Sequence, residues 1–456
     1  MPEALPLYLG IPFAGILLSI AIFPMVKPHW WVRNLNLVSA FWALAFAVPY
    51  VVTVGWPESR QTLFNVLSHD YLPFMILLIS LYVVSGGIFV RGNLKASPWI
   101  NTALLAIGTV LASAIGSIAA SVIVIRPMLR TNAWRKHKAH IVVFCIFLVC
   151  NIGGVLTPVG QPPLFLGFLK GVPFFWTLHL WPIFAVACAV LFPIFFAIDA
   201  YSLSKETANT QATAATAVTV DGLHNFAFLA AIVGVIMLSG AWRVHPFFYD
   251  AATDTAKSLR LWPDTFVLEI PWINIVRDAA IAILAAASWF STNEEFRLEN
   301  NFSWAPLAEV GYLFAGIFIT IVPVISILEL RGASLGLDTP ARYFWASGIL
   351  SSFLDNAPTY LTFLSAAGGY FKMHADLLGT APVLTSLGTI SAKFLMAISS
   401  GSVFMGANTY IGNAPNFLVK SIAEESGYPV PSFFGYMLWS GCILLPLFAL
   451  ITLIFF

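Results

Sequence analysis

Ten hydrophobic runs, each long enough to cross a lipid bilayer as a helix, place the strongest constraint on how this chain can fold. They lie at residues 7–26, 32–53, 71–90, 141–170, 177–198, 223–241, 271–291, 307–328, 391–422 and 433–454. A transmembrane helix needs about 20 apolar residues, because the hydrocarbon core of a bilayer is about 30 Å thick. The apolar residues do not alternate with polar ones, which argues against a β-barrel. We therefore predict an all-α polytopic membrane protein.

The composition excludes several other classes of protein. Charged residues make up only 9% of the chain, whereas soluble domains have about 25%. The net charge of +1 offers no basic surface to nucleic acid. The sequence has no nucleophile–base motif, phosphate-binding loop or His/Cys cluster, so we expect neither an enzyme nor a cofactor. The run at 7–26 lacks a basic leader segment, and we expect it to be a retained helix.

Two further apolar regions, at about 100–125 and 343–371, are interrupted. The first ends in Arg126-Pro127, and the second contains Asp355-Asn356-Ala357-Pro358 in its middle. Irregular backbone at membrane depth is tolerated only where it faces protein or water. We predict that both regions are re-entrant hairpins.

An internal repeat relates the two halves of the chain. Residues 154–166 and 406–418 share six of thirteen amino acids. Each half would then hold five spans and one hairpin, and because five is odd, the second half would lie inverted in the membrane. The predicted first unit is residues 1–200, with scaffold helices at 1–70 and a hairpin and broken helix at 71–200. A cytoplasmic linker follows at 201–222. The predicted second unit is residues 223–456, with scaffold helices at 223–306 and a hairpin and broken helix at 307–456.

Positive charge sets the predicted orientation. The densest basic segment, residues 126–138, is expected in the cytoplasm. The N-terminus would then lie outside, in a multi-pass protein of the inner (plasma) membrane. Within this segment, Arg126 is either an anion contact of the first hairpin or one more inside positive charge, and the sequence favours the latter.

The two repeat motifs each place glycine and proline within a spanning run. Gly160, Pro163, Gly412 and Pro415 should unwind the helices and free backbone carbonyl groups. Neutral oxygen-bearing side chains surround these breaks, and they are Thr157, Gln161, Asn408, Thr409, Asn413 and Asn416. They indicate a site for a hard cation or a polar substrate. The alternative is that they only satisfy the broken backbone.

The second hairpin carries the sharpest single feature, an acid in an apolar region. Asp355 lies among Ser351, Ser352, Asn356 and Thr359. A carboxylate at membrane depth marks an ion or proton path, and we expect Asp355 to bind sodium with Asn356 and to be protonated when the ion leaves. Helix N-capping is the alternative role.

The tip of the first hairpin offers only the hydroxyls of Ser117 and Ser121 and has no acid. This asymmetry predicts a single carboxylate-based ion site.

Three stretches, residues 151–167, 352–359 and 406–416, resemble the ion transporter superfamily, close to NhaD-like sodium/proton antiporters and their arsenite and citrate transporter relatives. The resemblance implies a mobile unit that slides against a dimerising scaffold, and hence a homodimer in contact with lipid. It places ion ligands at Asp355, Asn356, Thr359, Thr409 and Asn413. It also implies an acid where this chain has Gln161.

The leading hypothesis is a cation-coupled secondary active transporter, a sodium/proton antiporter with elevator-type alternating access, in which sodium is the substrate or coupling ion. The main alternative is a sodium- or proton-coupled carrier of organic di- or tricarboxylates. An intramembrane enzyme and a passive channel have less support from the sequence.

Overall fold

The protein folds as a bundle of membrane-length helices. The computed structural model describes residues 5–206, 216–250, 255–261, 268–300 and 302–456. Within these ranges, nine helical segments are long and apolar enough to cross a membrane, and a helix pair bent by 44° brings the number to ten if it counts as one span. The predicted fold class, an all-α polytopic membrane protein, is confirmed.

The described residues of the first half form nine α-helices. They are α1 Ile11–Val26, α2 Pro28–Val54, α3 Trp56–Val66, α4 Leu72–Ser85, α5 Pro98–Ile115, α6 Ser117–Thr131, α7 Ala139–Cys145, α8 Pro162–Leu169 and α9 Trp181–Ser204. A π-helical turn, Leu67–Tyr71, joins α3 to α4, and a second, Ile146–Asn151, continues α7. A short 3₁₀ segment, Ile152–Leu156, follows.

The second half contains ten α-helices in the described residues. They are α10 His224–Ala241, α11 Trp272–Ser291, α12 Glu294–Glu299, α13 Ala305–Thr320, α14 Val322–Arg331, α15 Pro340–Phe353, α16 Asn356–Met373, α17 Ala392–Met405, α18 Ala414–Glu425 and α19 Phe433–Phe455.

In the part of the chain that the structure describes, four short antiparallel strand pairs lie outside the helices. They are β1 Phe89–Asn93 with β2 Thr216–Asp221, β3 Tyr249–Asp250 with β4 Thr255–Ala256, β5 Ser258–Leu261 with β6 Leu268–Pro271, and β7 Val383–Thr385 with β8 Gly388–Ile390. The first pair lies in two segments for which no strand was predicted. The run at 71–90 leaves the helix at Ser85, before two glycines, and ends as a strand. The linker predicted at 201–222 supplies the partner strand, in which β-branched residues favour extended backbone; its residues 207–215 lie outside the described part.

Several predicted span boundaries also change. The third span starts at Trp56, because the π-helical turn carries the helix through a polar segment that lowers local hydropathy. The run at 307–328 divides at Ile321 into α13 and α14. Helix α5 is by itself long and apolar enough to cross a membrane, a length that was not predicted for the first interrupted region.

The helices differ in how far they are covered by protein. In the candidate span at 139–156, 89% of the residues are buried inside the protein, whereas in the span at 33–54 only 17% are buried. Large apolar side chains such as Phe290 and Leu453 are each 85% exposed, as expected where lipid is the solvent. The first broken helix therefore lies at the centre of the bundle, and α2 lies at its edge.

The two interrupted regions begin alike. Ser97 and Thr339 cap the starts of α5 and α15, each accepting a hydrogen bond of 3.3 Å from a backbone N–H three residues on, and each precedes a proline. This shared start supports the repeat that the sequence predicts.

A buried polar cluster lies where the start of α5 meets the segment that follows α6. Asp199 of α9 lies 2.7 Å from the guanidinium of Arg135 and 2.7 Å from Nε2 of His140, and it accepts a hydrogen bond of 2.9 Å from Asn101. The side chains of Asp199 and Arg135 have no exposed surface. The cluster ties α5, α7 and α9 together.

Candidate functional site

The two repeat motifs adopt the same local conformation. In each, the chain leaves its helix and restarts as α8 or α18 directly after an extended residue, Gln161 or Asn413. The first and last glycines of each motif lie so close that a Cβ atom on Gly412 would be 2.5 Å from the carbonyl oxygen of Gly406. The breaks in both runs are thus present, and glycine is required because any side chain would collide with backbone. Pro163 and Pro415 lie in the first turn of the new helices, where proline fits well.

Hydroxyl groups join each break to the neighbouring hairpin. Thr157 donates a hydrogen bond to the carbonyl of Ser113, and Thr409 donates one to the carbonyl of Ser352. Both serine hydroxyls donate in turn to the backbone carbonyl directly before the motif, that of Gly153 or Met405. These side chains satisfy broken backbone, which is the alternative role considered for them.

The two breaks meet at the centre of the protein. The amide nitrogen of Asn413 donates to Oδ1 of Asn151 (3.0 Å) and to Oε1 of Gln161 (3.2 Å). Asn151 donates to Oδ1 of Asn416 (2.8 Å), and all four amides are at most 1% exposed. Asn151 was not among the predicted site residues. A polar amide inside the apolar run at 141–170 was the signal that could have found it.

The remaining predicted residues divide into two groups. Asn408 donates to Oγ of Ser352 (2.9 Å), Ser351 donates to a carbonyl of α17 (2.6 Å), and Thr359 donates to the carbonyl of Asp355 (3.0 Å). Asn408 and Ser351 hold the second hairpin against the second broken helix, whereas the bond of Thr359 lies within the hairpin. In contrast, Ser121 donates within its own helix.

Ser117 does not reach the second hairpin. It lines, with Gln161, a separate and mainly apolar cavity of about 40 Å³, which has room for about three water molecules.

Asp355 has the capping role considered for it, and its role as an ion ligand stays a prediction. Its Oδ1 accepts a hydrogen bond of 3.0 Å from the backbone of Ala357 at the start of α16, so it is an N-cap. It also lines the main cavity. The next residue, Asn356, has no exposed surface, and neither polar atom of its side chain has a partner in the described residues. A buried amide without partners leaves hydrogen-bonding capacity open for a ligand.

The main cavity has a volume of about 390 Å³, which is within the range of about 300–1,000 Å³ typical of small-molecule sites. Residues of α1, α2, α4 and α13 line it, together with residues of α6, Asp355 and several residues between 410 and 425. Three charged residues that were not among the predicted ligands also line it: Arg126, Glu309 and Glu425. Glu309 was detectable as an acid inside the predicted run at 307–328.

The lining groups can interact with both kinds of ion. The carboxylate of Asp355 and the Oδ1 atom of Asn413, which has no partner in the described residues, can bind a cation. The guanidinium of Arg126 can bind an anion. No three His, Cys, Asp or Glu side chains gather as metal ligands in the described part of the chain. A cation here would therefore rely on one acid and neutral oxygens, as a hard cation such as sodium allows.

A comparison with protein-family models gives a match. No curated protein is significantly similar to the chain. A family model described as "Putative citrate transport" matches residues 2–456, almost the full length. The chain therefore belongs to the putative citrate transport family of the ion transporter superfamily.

Proposed function

We propose that this protein is a cation-coupled secondary transporter of organic anions that carry two or three carboxylates. The observation that carries the proposal is the cavity in which Asp355 and the second break face a wall of four other helices and Arg126. The family match supports an organic anion as the cargo. This was the alternative to the leading hypothesis, and the family favours it over antiport.

In this proposal the coupling cation binds on the side of the second hairpin. Asp355 supplies the charge, and Asn356 and Asn413 supply neutral oxygens without partners. A carboxylate at membrane depth is costly unless it is neutralised. A bound cation or a proton offsets this cost, so cation and anion can move together with less net charge exposed.

We also propose that the cavity separates the moving and static parts. Helices α4 and α13 pack together through the rings of Phe74 and Phe314, whose centroids are 4.7 Å apart, and a hydrogen bond of 3.1 Å from Tyr71 to Gly311. With α1 and α2 they would form the static wall. The two hairpins and broken helices would slide along it, and a second copy would bind the outer face of the static part.

Uptake into proteoliposomes tests the proposed function. Labelled citrate and succinate should enter faster when an inward sodium or proton gradient is present. Asp355→Asn should remove this acceleration, whereas Asp376→Asn, at an exposed position, should keep it. If neither carboxylate enters wild-type liposomes, the proposed cargo is wrong. If Asp355→Asn responds to the gradients like the wild type, the proposed coupling site is wrong.

Sodium/proton antiport is the second candidate, because no cationic side chain in the described residues pairs with Asp355. A lone carboxylate can hold either sodium or a proton, and this exclusion is the basis of exchange. A sodium pulse without any organic anion should then change the luminal pH in an Asp355-dependent way. A pH change that requires citrate would favour the carrier instead.

A further inference from the structure

We infer that Arg126 binds a carboxylate of the transported anion and determines which anions the cavity accepts. The inference rests on the proposed function and adds the residue that recognises the cargo. It also departs from the expectation that Arg126 is one more positive charge on the inner side.

The first reason is that Arg126 has no hydrogen-bond or ion-pair partner among the described residues. Of the buried and half-buried arginines that the structure describes, it alone forms no hydrogen bond or ion pair, and its Nε is buried without an acceptor. Comparable arginines are paired: Arg135 lies 2.7 Å from Asp199, and Arg277 lies 2.7 Å from Asp278. A guanidinium has five N–H donors, and donors left empty in a buried place are costly. The cavity therefore leaves these donors available to a ligand.

The second reason is that the helix starts and the other side chains of the cavity offer few donors to an anion. The starts of α8 and α18, where helix N-termini could present backbone N–H groups, carry Pro162, Pro163 and Pro415. The N–H of Asn416 donates to the carbonyl of Asn413 (3.0 Å). Arg126 is also the only cationic side chain among the described residues that line the cavity. It is therefore the strongest donor that a carboxylate can reach there.

The third reason is the balance of charge in the empty cavity. Glu309 and Glu425 line the same space, and Glu425 is close enough to act electrostatically on Arg126. Neither acid contacts the guanidinium as an ion pair, but Glu425 lowers the cost of its charge while no anion is bound. A carboxylate of the cargo can then take the position that these acids leave open. An anion with more than one carboxylate can contact Arg126 and still leave a group for the coupling cation near Asp355.

The experiment compares the concentration dependence of citrate and succinate uptake in wild type, Arg126→Gln, Arg126→Lys and Arg33→Gln. Arg33 is the matched control, since it is exposed on α2 and its replacement changes the charge equally. We expect Arg126→Gln to raise KM at least about tenfold for both anions, because a charge-assisted hydrogen bond is lost. Arg126→Lys should recover part of the affinity, and Arg33→Gln should match the wild type.

A second measurement separates recognition from folding. Citrate should raise the unfolding temperature of the purified wild type, and Arg126→Gln should lose this shift while its own unfolding temperature without citrate stays close to that of the wild type. If Arg126→Gln is too unstable to purify, Arg126→Lys decides the matter through a higher KM at unchanged kcat. A KM within about twofold of wild type in Arg126→Gln would overturn the inference and leave the proposed function standing. If only Arg126→Lys can be purified, the same result in that variant would overturn it. Failure of the wild type to take up any carboxylate would remove the proposed function itself, and the inference with it.

Discussion

The ion pair between Lys170 and Asp70 connects the end of the first broken helix to the static wall. Lys170 follows α8, and Asp70 lies in the π-helical turn between α3 and α4. The ammonium nitrogen is 2.7 and 2.8 Å from the two carboxylate oxygens, and the side chains are only 17% and 12% exposed. Any sliding of α8 along α4 must break this pair, so its strength bears directly on the proposed motion.

Its strength follows from two opposing terms. At an effective dielectric constant of about 20, two unit charges about 2.8 Å apart attract by about 6 kcal/mol. Desolvation of both groups cancels most of this attraction. Removing one partner is more damaging, because the other charge then stays largely buried and uncompensated, at about 2–4 kcal/mol. We therefore expect Lys170→Met and Asp70→Asn each to destabilise the protein more than the double substitution does.

The assay is a double-mutant cycle on thermal unfolding of the purified protein, with citrate uptake measured in parallel. Lys372→Met is the control, because its pair with Glu329 is longer (3.4 Å) and about half exposed at the lysine; it should cost under about 1 kcal/mol. The coupling between Lys170 and Asp70 should be at least about 2 kcal/mol, because the double variant is expected to cost less than either single one. Single effects that simply add in the double variant would refute this reasoning.

Three further predictions concern backbone space, buried charge and pH. Gly412→Ala places a methyl group 2.5 Å from a carbonyl oxygen, so citrate uptake should fall at least about tenfold, while Gly234→Ala, which has open space, should keep wild-type uptake. Asp199→Asn leaves a fully buried guanidinium uncompensated and should cost about 3–5 kcal/mol in thermal stability; a loss no larger than that of Asp338→Asn, in an exposed pair, would contradict this. Burial alone would raise the pKa of Glu206, but hydrogen bonds from two backbone N–H groups hold this pKa below its usual 4.5. Its ionised form therefore stabilises the fold above pH 4.5 and this contribution is lost as the pH falls further, so Glu206→Gln should flatten the thermal stability profile below pH 4.5.

The sequence predicts best those features that depend on a few neighbouring residues. Glycine and proline within an apolar run are sufficient to locate both helix breaks, because the steric and hydrogen-bonding effects of these residues are local. The capping role of Asp355 is local for the same reason. The paired caps at Ser97 and Thr339 show that the repeat, too, is carried by short patterns.

The features that the sequence does not predict depend on segments that are far apart in the chain. Arg126 and Glu309 line one cavity although 183 positions separate them, and nothing in either run indicates the other. The pairing of β1 with β2 joins Val90 to Val220 and has the same origin. The early start of the third span was hidden because its first turns are polar.

The asymmetry between the two hairpin tips is a property of the backbone as well as of the side chains. Gly116 and Asp355 hold equivalent places, each directly before the second helix of its hairpin, yet Gly116 has φ of 91° and Asp355 has φ of −58°. A positive φ strains any residue with a Cβ atom, so an acid at position 116 would have to change the path of the chain. The first tip also faces a cavity of about 40 Å³, against about 390 Å³ at the second. The first tip is therefore shaped to support the crossing of the two breaks, and the acid and the larger of these two cavities lie at the second tip.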